Sequence, residues 1–94
     1  MQLSQSEIVK KIQDGAMIVD VRSDLEYQTG AYPGAVNIPV ESIPANLEKL
    51  EPKDRLILTY CASGMRGNRA VTMLESFGWT DVWCAGALRN MPQP

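Results

Sequence analysis

The sequence predicts an α/β domain, a parallel sheet covered by helices on both faces, over residues 1–94. Three observations predict it. Residues 17–21 and 56–60 are almost wholly apolar, as in strands buried on both faces of a sheet. Helix-like stripes alternate with strand-like runs along the chain, and the connections between them have the short lengths that α/β units use. In open sheets of this class a functional site lies beyond the carboxyl ends of the strands, where Asp20, Arg22, Cys61 and Cys84 are expected to fall.

Each element has a local cause. Ser4 with Glu7 fits a capping box, and Ile8, Val9 and Ile12 form the apolar stripe of a first helix that ends at Asp14-Gly15. Residues 17–21 follow as a central strand. Ser23 with Glu26 fits a second capping box for a single helical turn that Thr29-Gly30 closes. Tyr32-Pro33-Gly34-Ala35 has the chemistry of a tight turn, and Val36-Asn37-Ile38 reads as an edge strand ended by Pro39. Pro44 suits a first helical turn, with Ala45, Leu47 and Leu50 as the inner face of a surface helix. After the strand at 56–60, Ala70, Val71, Met73, Leu74 and Phe77 make one face of a helix over 67–77, with Gly78 at its C-terminal cap. Residues 82–84 are the last strand, followed by a turn or short helix through Met91.

The stretch from Leu56 to Gly67 organises the rest. A buried strand runs into a loop that begins with Cys61, continues through the small residues Ala62, Ser63 and Gly64, and reaches Met65 and Arg66 as a helix starts. Unpaired N–H groups and the positive end of the helix dipole converge inside such a loop and favour an anion. A lone cysteine is ordinarily a buried hydrophobe. Here the small loop, Arg66 and the helix point instead to a thiolate, with a pKa brought from about 8.5 into roughly the 3.5–7.5 range of activated thiols. The C-x4-R spacing is one residue shorter than the C-x5-R loop of cysteine-dependent phosphatases. The smaller ring of donors suits a persulfide, whose terminal sulfur is anionic, better than a tetrahedral phosphoryl group. Phosphatase chemistry would also want a general acid, and no carboxylate is visibly placed for it.

Composition narrows the function further. The chain has no histidine, which excludes Cys-His and Ser-His nucleophile systems and histidine-ligated zinc, so Cys61 must be activated by its loop. Cys61 and Cys84 are too few for a disulfide framework and too far apart for C-x-x-C. No metal and no cofactor is expected. A formal charge of −2 with scattered basic residues gives no electrostatic reason to expect nucleic acid or an anionic membrane as partner. The apolar runs are shorter than a membrane span and the N-terminus lacks the pattern of a signal peptide, so the cytoplasm is the default expectation.

Three ordered motifs now carry a family resemblance over almost the whole chain. Ile18-Val19-Asp20-Val21-Arg22 with Glu26-Tyr27, residues 30–39 (GAYPGAVNIP) and residues 60–66 (YCASGMR) resemble the Asp-Val-Arg, Gly-His-Ile-Pro-Gly-Ala-x-Asn-Ile-Pro and C-x-x-G-x-R segments of single-domain rhodaneses. The resemblance implies a sheet of about five parallel strands, a catalytic Cys61 and a substrate-binding loop of Ala62, Ser63, Gly64, Met65 and Arg66. It also implies a thiosulfate or persulfide donor, with cyanide, a thiol or a thioredoxin-like or other protein as acceptor; a monomer is expected. Ala31 and Tyr32 replace the family's histidine and isoleucine, and Gly67 stands where serine is common. The ending from Cys84 to Met91 is similar to that of phage-shock-protein-E type rhodaneses, which adds an exported, periplasmic form as the alternative location.

Asp20 and Arg22 are expected mainly to orient loops, and Arg66 to bond loop carbonyls and meet an oxyanion such as the sulfonate of thiosulfate. Cys84 is expected near the active end of the sheet, either as an inert buried thiol or as a resolving thiol for Cys61. Against the sulfurtransferase stand two alternatives, a non-catalytic rhodanese-like module that binds a protein and a phosphatase or arsenate reductase.

Overall fold

The computed structural model describes residues 3–94. In chain order it contains α1 (Gln5–Gln13), β1 (Met17–Asp20), α2 (Asp24–Gln28), β2 (Val36–Asn37), a 3-10 segment (Val40–Leu50), β3 (Ile57–Cys61), α3 (Met65–Ser76), β4 (Val82–Ala87) and a 3-10 turn (Leu88–Asn90). Both expected capping boxes form. Ser4 Oγ accepts from the Glu7 N–H while Glu7 accepts from the Ser4 N–H, and Ser23 and Glu26 repeat the arrangement at the start of α2.

The strands lie in the order β2-β1-β3-β4 and every pairing is parallel. Strand β3 is therefore internal, and all five of its residues are buried. Its side chains alternate between two cores as a pleated strand requires. Ile57 and Cys61 join Ala70, Leu74, Ile43 and Leu50 beneath α3 and the 3-10 segment, while Leu58 and Tyr60 join Ile8 of α1, with Ile12 packed alongside. Helices thus cover both faces, and β2 is the edge strand the sequence suggests.

Four expectations need correcting. The sheet of the described residues has four strands, not about five. Helix α3 begins at Met65 rather than residue 67, because Gly64 takes a left-handed conformation (φ 97°) that turns the chain at once into the helix, and its carbonyl accepts the first helical bond from the Asn68 N–H. Strand β4 continues to Ala87, where the sequence predicts a turn. An irregularity between Thr59 and Cys61 carries the pairing from Thr59–Cys84 to Cys61–Ala87. The helix expected after Pro44 is a 3-10 segment that starts at Val40 and is kinked at Asn46, and it buries Ile43 and Leu50 fully. Pro44 inside it has no N–H to give, which a regular α-helix would need.

At the far end of α3, Gly78 (φ 101°) fits the expected cap: its N–H reaches Glu75 O and the Trp79 N–H reaches Leu74 O, which closes the helix.

Candidate active site

Cys61 is the last residue of β3 and is fully buried. Its Sγ accepts the Gly64 N–H at 2.9 Å and the Gly67 N–H at 3.4 Å, so the loop has wrapped its backbone donors around the sulfur. Burial pushes the thiol pKa up. The N–H groups of Gly67, Ser63, Gly64 and Arg66 together outweigh burial and bring it below its ordinary value. The rim of the loop is open: Ala62, Ser63 and Met65 are exposed, Met65 by 78%. Gly64 itself is buried, and a side chain there would press on Gly86 at 3.3 Å as well as strain the turn.

Arg66 lies elsewhere than expected. Its guanidinium does not close the loop on carbonyls; it makes a two-pronged ion pair with Glu26 of α2, at 2.7 Å from Nη1 to Oε1 and 3.0 Å from Nη2 to Oε2. Its contribution to Cys61 is a backbone N–H, with the side chain's charge at longer range. The fork of Arg66, helped by the Ser23 N–H, holds the Glu26 carboxyl down to about 2.

Asp20 and Arg22 form a buried pair. Arg22 Nε lies 3.0 and 3.1 Å from the two carboxylate oxygens of Asp20 and Nη2 lies 2.7 Å from Oδ2, while the Arg22 N–H also bonds Oδ1. The Tyr60 hydroxyl donates to Asp20 Oδ2 at 2.8 Å and accepts the Tyr32 N–H, and Arg22 Nη2 donates to Gly30 O. This network ties the strand residue preceding Cys61 to the loop over residues 30–32. Burial, with Asp20 alongside, pushes the Tyr60 hydroxyl up to about 12, so it remains a neutral donor. Among the described residues no three of Cys, Asp and Glu gather closely enough to hold a metal ion.

The rhodanese-like domain model matches residues 4–85. The chain belongs to the rhodanese family. Among solved structures, a rhodanese-like domain protein from Staphylococcus aureus is 31% identical, covers 99% of this chain and 93% of its own, and superposes with a TM-score of 0.81. The human single-domain sulfurtransferase is 31% identical over 95% of this chain and 92% of its own, with a TM-score of 0.80. An Escherichia coli rhodanese solved with anions is 28% identical over 85% and 95%, with a TM-score of 0.79. Curated relatives carry another name. The tRNA uridine(34) hydroxylase of Cytophaga hutchinsonii is 35% identical over 78% of this chain, and that of Escherichia coli K12 is 30% identical over 86%. The chain spans about a quarter of the length of these curated relatives.

In this rhodanese domain Cys84 lies beneath the loop, opposite Thr59 rather than Cys61. Two residues along a strand and one strand across put the cysteine Cα atoms about 8 Å apart, beyond the ~7 Å that a disulfide spans without backbone movement. Burial raises the Cys84 thiol pKa, which also argues against a resolving thiol.

Three contacts escaped the sequence. Glu26 is legible as a cap and as part of the Asp-Val-Arg motif, but not as the partner of Arg66, which lies 40 positions away. Thr59 Oγ1 donates to Gly67 O at 3.0 Å and anchors the first turn of α3 to the sheet. Arg89 reaches the carbonyl of Ala62 at 3.4 Å from the exposed 3-10 turn.

The Glu26–Arg66 pair gives a pH-dependent result. Because Glu26 titrates at about 2 in the fold and near 4.5 unfolded, its contribution to stability is complete above about pH 4.5 and is lost as pH falls toward 2. The melting-temperature difference between wild type and Glu26→Gln should therefore stay constant from neutral pH to about pH 5 and close below it. A difference that is absent at neutral pH would contradict the pairing.

Proposed function

We propose that this rhodanese domain is a sulfurtransferase that works through a Cys61 persulfide, with thiosulfate or a small persulfide as donor. The observation that carries the reading is Cys61 Sγ held by the Gly64 and Gly67 N–H groups at the start of α3, in a chain with no imidazole to serve as base. The Cys61 thiolate attacks the outer sulfur of thiosulfate; a new S–S bond forms to Cys61, the old one breaks, and sulfite departs with the electron pair. Cyanide or a thiolate then attacks the terminal sulfur and leaves as thiocyanate or a persulfide, returning Cys61 as the thiolate. No proton has to move in either anionic step. The same N–H donors stabilise the thiolate and the persulfide anion, which is why the chemistry needs no histidine.

Two features weigh against phosphatase chemistry. The carboxylate paired to the loop, Glu26, is ionised at neutral pH and has no proton for a leaving group. The loop remains one residue short of the phosphatase spacing. The relatives named for tRNA hydroxylation suggest an RNA-associated role as a second reading, but a formal charge of −2 supplies no basic stripe for phosphates. An intact Cys61 and loop weigh against a purely binding module.

Steady-state thiocyanate formation from thiosulfate and cyanide tests the proposal. Parallel double-reciprocal lines are expected for a reaction in which sulfite leaves before cyanide enters. Arg66→Ala should lower kcat/KM for thiosulfate by about tenfold or more, the worth of a charge-assisted hydrogen bond to the sulfonate, and should affect a small persulfide donor that carries no sulfonate less. Equal losses for both donors would show that Arg66 acts only through its pairing with Glu26.

A further inference from the structure

Cys84 has no step in the chemistry above, yet its sulfur touches the backbone that holds Cys61. Gly67 shows the constraint. It is absent from the glycines with positive φ, so its need is for space. A Cβ at residue 67 would stand 2.7 Å from Cys84 Sγ and 3.3 Å from Thr59 Oγ1, the first distance shorter than real Cβ contacts permit. Helix α3 therefore seats against the sheet with Cys84 Sγ occupying the place of a side chain at residue 67. The same sulfur accepts the Gly86 N–H at 3.2 Å and leans on Gly64 O at 3.8 Å. Gly86 in turn is the residue against which Gly64 packs. One buried sulfur thus contacts both residues whose N–H groups bind Cys61 Sγ.

We propose that Cys84 is a positioning residue for Cys61: its sulfur is the spacer that sets how Gly64 and Gly67 seat beside the Cys61 sulfur. Its size and its two hydrogen bonds serve this role; its redox chemistry does not. The inference rests on Cys61 as the working thiolate, but its test reads the ionisation of Cys61 without any sulfur donor, so it can fail while sulfur transfer stands, and the reverse.

The test is the rate of Cys61 alkylation by iodoacetamide across about pH 5 to 9, read peptide by peptide so that Cys84 does not contribute, with melting temperature measured in parallel. Cys84→Ser keeps a donor and an acceptor but on a smaller atom and a shorter bond, so the Cys61 rate at about pH 6 should fall between those of wild type and Cys84→Ala. Cys84→Ala removes both and should move the Cys61 profile to higher pH, slowing alkylation at pH 6 by about threefold, the equivalent of half a pKa unit. Gly67→Ala should slow it by about tenfold, as its new methyl group drives residue 67 away from the sheet. The decisive feature is a reversal of sign: Cys84→Ala, harmful alone, should speed alkylation in the Gly67→Ala background by making room for that methyl group. A Cys61 profile in Cys84→Ala that coincides with wild type, or a double variant no faster than Gly67→Ala, would overturn the proposal. Should Gly67→Ala fail to fold, the contrast between Cys84→Ala and Cys84→Ser decides it alone.

Discussion

Asp20→Ala is expected to cost about 3–5 kcal/mol of stability, the usual loss when one partner of a buried ion pair is removed. The reason is what the substitution leaves behind. Asp20 is wholly buried and Arg22 is only 6% exposed, so the guanidinium would lose its counter-charge while still surrounded by protein. The Tyr60 hydroxyl and the Arg22 N–H would lose their acceptor at the same time. Against a total of about 5–15 kcal/mol for a domain, this is enough to leave part of the population unfolded near physiological temperature. Asp20→Asn, which keeps one acceptor oxygen, should lose less. Urea titration of the three proteins with a common m-value measures the effect. A loss under about 1 kcal/mol for Asp20→Ala would mean that the network is not what holds the 30–32 loop. Because Asp20 bonds Arg22 and Tyr60 rather than Cys61, Asp20→Asn should still react with thiosulfate at temperatures where it is folded; a folded but inert variant would instead place Asp20 at the substrate.

The parts of this molecule legible in its sequence are those with local causes. Ser4–Glu7 and Ser23–Glu26 announce helix starts because a capping box is complete within four residues. The apolar runs around Val19 and Leu58 announce buried strands because both faces of the sheet are covered. Cys61 could be singled out because small residues, an arginine and a helix follow it directly. What stayed hidden depends on pairs distant in the chain. The bond between Arg66 and Glu26 joins two surface positions whose neighbourhood only the fold creates, so the sequence leaves Arg66 free to line the loop. The extension of β4 to Ala87 depends on a shift in pairing with β3 that no local pattern in 82–87 encodes. The early start of α3 depends on the conformation of one glycine, Gly64, where a strand-to-helix turn could have been longer. In the sequence Gly67 is only a departure from serine; its reason is the sulfur of Cys84, 17 residues on and one strand across.

Sulfur loading on Cys61 is the result from which the other functional expectations follow. Cys61→Ser should lose thiosulfate turnover entirely, because an alcohol in the same N–H cradle is not ionised near neutral pH and no histidine is present to take its proton. The loss should come without unfolding, since serine replaces a buried sulfur of similar size and can accept the same Gly64 and Gly67 bonds. The most direct measurement is the intact mass of the wild-type protein after mixing with thiosulfate. A product heavier by one sulfur atom is expected, reversed by cyanide with release of thiocyanate, and no such product from Cys61→Ser. A wild-type protein that gains no sulfur from thiosulfate or any small persulfide, yet hydrolyses an aryl phosphate in a Cys61-dependent way, would contradict it.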